Sequence, residues 1–407
     1  MAGARRTWDA SRTLALIGVF SVMLSVPLAV LGDASGPYDD PKAWTLLILA
    51  TMTGLAWFLG RDTGSPDAPS RPDVASRVIR LVVLVGLSWT VLTTVTSVAP
   101  MQSLLGTFGR GMGLLTIGSA TLLFFVIQSQ CRTLHAARSL IDGALLGSVP
   151  VCLLAFGQAL GWDPLPKPWD PAVRMLTVRS TFGTHIFLGS YLVVLIPLAM
   201  ARLEWALRQR AASGGWPTST RAQWRYAVAA TVWVVGAVFL VASVSRSSLM
   251  WWVVIPWGIV GATMLALAAR QDGAPIDSAL TAWCLAGLLA IQVLIVILSR
   301  GRGAFLGMMV GLSVTAFAFL VRRRAWKTLG GSLLFLVGLV VFLVLLNLSD
   351  SPIASLGLSD LPLLSRLSEI ADMTAQSPGW FRVQVWRGIA DGWRRQLRGE
   401  ETFPGLW

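Results

Sequence analysis

Residues 279–303 read ALTAWCLAGLLAIQVLIVILSRGRG. Within this stretch, an uncharged apolar run over residues 279–298 is followed closely by Arg300 and Arg302. A helix of about 20 apolar residues is long enough to cross the roughly 30 Å hydrocarbon core of a bilayer. The run therefore predicts a transmembrane helix over residues 279–298, with both arginines at its outward end. A cation in that position either anchors the helix in the lipid headgroups or binds an anion.

The whole composition is that of a polytopic membrane protein. Of the 407 residues, 55% are hydrophobic and 13% are charged, whereas soluble domains carry about 25% charged residues. We predict an all-α transmembrane bundle of about eleven helices over residues 1–347, and an external helical loop segment over residues 348–407. The predicted crossings are residues 13–32, 43–60, 77–98, 112–128, 139–160, 182–201, 226–243, 248–269, 279–298, 303–321 and 329–347.

The net charge of +13 follows the predicted topology. With the N-terminus in the cytoplasm, the cytoplasmic segments hold 19 of the 33 lysines and arginines, and the external segments hold 14. Six of those 14 lie in the long C-terminal segment, which counts weakly toward the positive-inside rule. The short loops therefore divide 19 against 8. This distribution assigns most of the charge to topology, and we expect no nucleic-acid partner.

The external segment is predicted to contain an amphipathic helix over residues 381–398. Trp386, Ile389 and Trp393 recur at helical spacing and favour one apolar face. Arginines occupy much of the remainder, a pattern that suits a membrane interface; a loop helix packed on the bundle is the alternative. No apolar segment follows, so we expect the chain to be part of a longer protein.

Several arginines fall in segments that this topology places outside the cytoplasm. They are Arg110, Arg174, Arg179, Arg246, Arg300 and Arg302. A guanidinium group keeps its charge and binds phosphate through two parallel hydrogen bonds, and an ionisable group at membrane depth is a functional candidate by default. Snorkelling to the headgroups is the structural alternative for each of them. For Arg246 and Arg302, the neighbouring small residues favour close approach of a ligand.

Other motifs give weaker or negative indications. His185 is the one histidine in an outward segment and is a candidate general base, with a structural role at a helix start as the alternative. The sequence shows no phosphate-binding loop, serine-nucleophile motif or metal-ligand cluster, so no cofactor or metal is expected. Carboxylates are nearly absent from the helix interiors, which disfavours an ion-coupled transporter. The first external loop, residues 33–42, is acidic, and its sequence gives no indication of a function.

Three stretches carry a likeness to a known family. Residues 179–192 read RSTFGTHIFLGSYL, residues 299–307 read SRGRGAFLG, and Arg382 with Trp386 matches an R-x-x-x-W helix opening. The chain resembles the O-antigen ligase and polymerase superfamily of bacterial envelope proteins, over roughly residues 85–395. It departs from the family where Thr184-His185-Ile186 replaces N-P-N, and in having no histidine after His185 to match the one that the family's external loop usually carries as a base.

The resemblance implies a glycosyltransferase of the bacterial inner membrane. Such a protein moves a glycan from an undecaprenyl diphosphate carrier to a glycan or lipid acceptor on the outer side, without a metal. By motif, Arg179 and Arg302 would bind the diphosphate, with Arg300 as the alternative to Arg302, and Arg246 is added by its position. Arg382 and Trp386 would belong to a loop that covers the site. A repeat-unit polymerase, or a transporter or flippase for an anionic or lipid-linked glycan, remains the alternative.

Overall fold

The computed structural model is helical, and no β-strand occurs in the part of the chain that it describes. The described residues are 2–31, 37–59, 74–107, 111–131, 134–165, 178–213, 221–244, 250–270, 279–299, 301–322 and 378–397. The all-α prediction is confirmed for these ranges. Two short 3-10 turns, Val26–Leu28 and Ser180–Phe182, interrupt the connections between helices.

Twelve α-helices are described in these ranges. They are α1 (Ala2–Ser25), α2 (Asp39–Leu59), α3 (Val74–Val95), α4 (Pro100–Leu105), α5 (Leu114–Gln130), α6 (Leu134–Ala159), α7 (His185–Ser213), α8 (Arg221–Val244), α9 (Met250–Arg270), α10 (Ala279–Leu298), α11 (Arg302–Arg322) and α12 (Pro378–Leu397). Ten of the eleven predicted crossings coincide with helices, and the eleventh, residues 329–347, lies outside the described residues.

Length and apolar composition make five of the described helices able to cross a membrane. They are α2, α3, α6, α7 and α10. Five shorter apolar stretches occur in α1, α5, α8, α9 and α11. Long apolar helices with exposed apolar side chains indicate a membrane protein, because lipid replaces water as the surrounding solvent.

The first 299 residues form one compact unit in which α1 and α6 are central. Helix α1 packs against α2, α5, α6 and α9, and α6 also packs against α7, α8 and α10. Gly147 on α6 lies directly against the backbone carbonyl of Met23 on α1. Small residues at such crossings let helix backbones approach closely, which is how apolar helices gain packing energy within lipid.

Polar contacts also join the helices of this unit. Arg202 on α7 donates two hydrogen bonds to the carboxylate of Asp142 on α6, at 2.7 and 3.2 Å. Gln292 on α10 donates to the hydroxyl of Ser148 on α6, at 3.0 Å. Arg202, Gln292 and Ser148 are each at most 1% exposed. Breaking one of these pairs would leave a buried polar group without its partner, so these contacts fix the register of α6 against α7 and α10.

The second compact unit spans Arg300–Trp407 and contains α11 and α12 among its described residues. Helix α11 is apolar along its length, as predicted for residues 303–321. Helix α12 begins at Pro378 and ends at Leu397, within a few residues of the predicted 381–398. The proline supplies a fixed φ in the first helical turn, where its missing N–H removes no helical hydrogen bond.

Candidate functional site

Several segments that were predicted to lie outside the cytoplasm meet at one end of the first unit. The hydroxyl of Thr181 donates to the carbonyl of Pro27 at 2.5 Å, just after α1. The hydroxyl of Ser25 donates to the carbonyl of Val254 near the start of α9, at 3.4 Å. The end of α1 therefore meets the turn before α7 and the start of α9. We name the helix ends around Pro27, Arg179 and Val254 the Arg179 end of the bundle.

Arg179 lies in a buried ion pair at this end. Its Nη2 donates to Oδ2 of Asp163 at 2.8 Å, and Arg179 is only 5% exposed. Gln158, in the last turn of α6, donates to the other carboxylate oxygen at 2.9 Å. The Oε1 atom of Gln158 accepts hydrogen bonds from the backbone N–H groups of Arg179 and Ser180, at 3.1 and 2.7 Å. The network ties the turn before α7 to the end of α6.

Ser180 occupies an unusual backbone conformation within this network. Its φ is +49°, a left-handed value that costs about 1–2 kcal/mol for a residue with a Cβ. The side chain is fully buried, and its hydroxyl donates to the carbonyl of Val151 at 2.7 Å. Strain of this kind persists only where surrounding contacts over-determine the conformation, and it is concentrated at functional sites. The contacts of Ser180 therefore hold the turn in one conformation.

Lys42 provides a second cation at the Arg179 end. From the first turn of α2, its ammonium group donates to the carbonyls of Ala29, Tyr38 and Thr181, at 2.8, 3.2 and 2.5 Å. These bonds use all three ammonium hydrogens, and Nζ also lies 5.1 Å from the centre of the Phe182 ring. Lys42 thus fastens the connection after α1 and the turn before α7 to the start of α2.

Tyr38 packs over the same turn. The Arg179 guanidinium lies 5.9 Å from the centre of its ring, within cation–π range. A Cβ at Gly183, whose φ is +70°, would lie 2.5 Å from Cδ2 of Tyr38, so only glycine fits there without a shift. Burial raises the pKa of Tyr38 to about 12, although the neighbouring Arg179 charge acts in the opposite direction. The phenol therefore stays neutral at physiological pH.

The helices that flank Arg246 also reach this end. Helix α9 begins here, because Val254 lies against Ser25. Trp233 of α8 and Trp257 of α9 exchange hydrogen bonds, each indole N–H donating to the other residue's carbonyl, at 3.0 and 3.1 Å. Helices α8 and α9 are thus neighbours joined by a short connection, and α8 ends where α9 begins. Arg246 itself lies outside the described residues.

The last turn of α10 reaches the same end. Leu285 lies in one buried cluster with Leu145 of α6, and Gln292 donates a hydrogen bond to Ser148 farther along α6. Helix α10 therefore runs in the same direction as α6, whose end carries Gln158. Ser299, the last residue of the first unit, is fully buried there. It immediately precedes Arg300 in the sequence.

The predicted site residues differ in what the structure describes of them. Arg179 is held by Asp163, and His185 is a partly buried residue that begins α7. Trp386 on α12 is 70% exposed. Arg302 begins α11 and Arg382 lies in α12, but their side chains are not described. The others lie outside the described residues, namely Arg110, Arg174, Arg246 and Arg300.

Three residues of this end were missed in the sequence. Lys42 was included in an acidic loop with no predicted function, and Asp163 and Gln158 were not singled out. One available signal was the presence of Asp163 in the same predicted outward loop as Arg179, since opposite charges in a short loop often pair. The three carbonyl partners of Lys42 carry no sequence signal, because backbone groups are the same at every residue.

Within the described ranges, no group of three or more His, Cys, Asp or Glu side chains could hold a metal ion. The chain matches no protein-family model, no curated protein and no solved structure.

Proposed function

We propose that the chain is an O-antigen-ligase-like glycosyltransferase that acts at the outer face of a bacterial inner membrane. It would move a glycan from undecaprenyl diphosphate to an acceptor hydroxyl. The observation that carries the proposal is the convergence at the Arg179 end: the turn of residues 179–184 and the helix ends next to Arg246 and Arg300 share one end of the bundle. The arginines that adjoin these helix ends in the sequence would suit an anionic lipid-linked donor at the membrane surface.

The proposal includes a bundle of about eleven crossings with a cytoplasmic N-terminus. With a cytoplasmic N-terminus, the proposed topology assigns 15 of the 21 lysines and arginines of residues 1–299 to cytoplasmic segments and six to the side of Arg179. Positive residues concentrate on the cytoplasmic side of membrane proteins. The charge distribution therefore supports an outward-facing Arg179 end.

The proposed reaction needs two kinds of residue at this end. The acceptor oxygen would attack the anomeric carbon and lose its proton to a base, and the bond from that carbon to the diphosphate would break. Arg246, Arg300 and Arg302 would stabilise the negative charge that develops on the leaving diphosphate. His185, at the start of α7, is the candidate base.

The ion pair with Asp163 favours a different role for Arg179 from diphosphate binding. The positive charge of Arg179 is paired with the carboxylate of Asp163, and only 5% of the Arg179 surface is exposed. We therefore propose Arg179 as a positioning residue that holds the turn leading to His185. A contact between its guanidinium and the donor would require the bond to Asp163 to open.

A transfer assay tests the proposal. The purified protein would be placed in vesicles with an undecaprenyl-diphosphate-linked glycan, an acceptor glycolipid and EDTA, and the elongated product would be measured. The Arg246→Ala, Arg302→Ala double variant is expected to lose about 100-fold or more in rate, the usual cost of removing charge stabilisation from a transition state.

Arg208→Ala is the matched control, because Arg208 lies at the opposite end and pairs with Glu204 within α7. It should transfer glycan at close to the wild-type rate. Unchanged transfer by the double variant, or no transfer by the wild-type protein, would overturn the proposal. Movement of the intact lipid-linked glycan across the bilayer without transfer would instead identify a flippase, and repeat-unit chains of increasing length a polymerase.

A further inference from the structure

Helix α12 carries an apolar face whose side chains are exposed in the part of the chain that the structure describes. Val385, Trp386 and Ile389 are 43%, 70% and 53% exposed. Successive residues of an α-helix turn by about 100°, so these three side chains fall within one arc of roughly 100°. Large apolar side chains that share one side of a helix mark an interaction surface when no neighbour covers them.

The opposite side of α12 is charged and also exposed. Arg387, Asp391 and Arg394 lie there, and Nη1 of Arg394 donates to Oδ1 of Asp391 at 3.4 Å with both side chains more than half exposed. Over its whole length the helix contains four arginines and one aspartate, a net charge of +3. From Gln384 to Arg395 the helix is thus amphipathic, with Arg387, Arg394 and Arg395 on its polar side and a tryptophan on its apolar side.

The net charge of α12 favours a lipid surface over a second copy of the helix as the partner of its apolar side. A second copy of α12 would bring two helices of charge +3 together, and their repulsion opposes pairing through the apolar side. An anionic lipid surface is complementary to the helix on both counts, since it offers acyl chains to the apolar side and phosphates to the arginines. The same chain contains helices long enough to cross a bilayer, so a lipid surface is expected to be close to the protein.

We propose that α12 lies along an anionic bilayer surface. Val385, Trp386 and Ile389 face the boundary between headgroups and acyl chains, while Arg387 and Arg394 contact lipid phosphates. Tryptophan suits this depth because its ring is apolar and its N–H is polar. This surface does not depend on glycan transfer, and it gives Trp386 a lipid contact in place of the substrate-loop role that the family likeness implies.

Site-specific photo-crosslinking tests the proposed orientation in the whole protein. Benzoylphenylalanine would replace, one at a time, Val385 and Ile389 on the apolar side and Gln384 and Asp391 on the polar side. The protein would be reconstituted in phosphatidylcholine vesicles containing 30% phosphatidylglycerol, an assay condition set by the anionic-surface hypothesis. Irradiation should produce lipid adducts at residues 385 and 389 and several-fold fewer at residues 384 and 391.

Charge variants test the electrostatic part. Arg387→Gln, Arg394→Gln and Arg395→Gln together should lower the equilibrium constant for surface binding about 100-fold, from about 1 kcal/mol for each basic residue near an anionic surface. Lipid adducts at residue 389 should fall in the anionic vesicles and change little in pure phosphatidylcholine. Lysine at the same three positions keeps the charge and should restore the adducts.

Two results would overturn the inference. One is an equal yield of lipid adducts at all four positions, since it would mean that α12 has no lipid-facing side. The other is crosslinking of residues 385 and 389 to protein, which would mean that the apolar side packs against a polypeptide. Either result leaves the transfer assay unaffected, so this inference and the proposed glycosyltransferase function can fail separately.

Discussion

Replacing Asp163 with asparagine should destabilise the bundle through Arg179. The carboxylate accepts hydrogen bonds from Nη2 of Arg179 at 2.8 Å, Nε2 of Gln158 at 2.9 Å and the backbone N–H of Leu165 at 3.3 Å. Asparagine keeps the size of the side chain but has one acceptor oxygen and no charge. The Arg179 guanidinium would then be buried without its counter-charge.

The expected cost follows from the burial of the two partners. Removing one partner of a buried ion pair costs about 3–5 kcal/mol. Arg179 has a side chain that is 6% exposed, whereas that of Asp163 is 32% exposed. Water reaches part of the carboxylate, so we place the loss near the lower limit, at about 3 kcal/mol. In an Arg179→Met background the same Asp163→Asn change should cost only about 1 kcal/mol, because no buried cation is left behind.

The measurement is a double-mutant cycle on the free energy of unfolding, from SDS titrations of the purified protein followed by circular dichroism. Glu204→Gln is the matched control, because its pair with Arg208 is about one-third exposed and lies within one helix; it should cost under about 1 kcal/mol. If the two changes at residues 163 and 179 prove additive within about 0.5 kcal/mol, the ion pair contributes nothing specific and the positioning role proposed for Arg179 is wrong.

Three further changes have expected outcomes in the same unfolding assay. Lys42→Met should lower the free energy of unfolding by about 3 kcal/mol, because three carbonyls lose a charged donor. A loss below about 1 kcal/mol would contradict the role of Lys42 in joining the three segments. Gly183→Ala should lower the free energy of unfolding by at least about 1 kcal/mol from its left-handed φ alone. Gly388→Ala is the control, because a Cβ there meets no atom within 4 Å and lies inside a helix, so it should cause no loss of stability. Asp142→Asn should lower the free energy of unfolding by about 3 kcal/mol. The glycan-transfer rate per folded molecule should stay unchanged. A lower transfer rate would instead indicate a functional role for the Asp142–Arg202 pair.

The helices were predictable because each depends on a local property of the chain. Runs of about 20 apolar residues have few structures available in lipid other than a helix. Residues 279–298 match α10 at both ends, and α12 begins three residues before its predicted start at residue 381. The largest differences occur where helices extend past the apolar run, as α7 does to Ser213. Polar residues continue a helix once it emerges from the apolar layer, and hydropathy does not register them.

The contacts at the Arg179 end were not predictable, because they join distant parts of the chain. Lys42 meets the carbonyl of Thr181, a pairing of residues separated by 139 positions. The left-handed φ of Ser180 depends on Gln158 and Val151, and serine has no particular preference for that conformation. Arg179 was predicted from its chemistry as an outward cation, yet its partner Asp163 changes what the charge is available to do.

The sidedness of the Arg179 end is the claim on which the proposed function depends. Thr184→Cys and Val98→Cys would be labelled in intact cells with a membrane-impermeant maleimide. Val98 is 81% exposed and ends the predicted crossing of residues 77–98 on the outward side. Native Cys131 is the internal control, because it is exposed and ends α5 at the opposite end of the bundle. Partial burial of its thiol nevertheless raises the pKa of Cys131, so the reagent is used in excess.

The cysteines at residues 98 and 184 are expected to react in intact cells, and Cys131 only after the membrane is opened. Reaction of Cys131 in intact cells, with residues 98 and 184 protected, would place the Arg179 end in the cytoplasm and rule out the proposed sidedness.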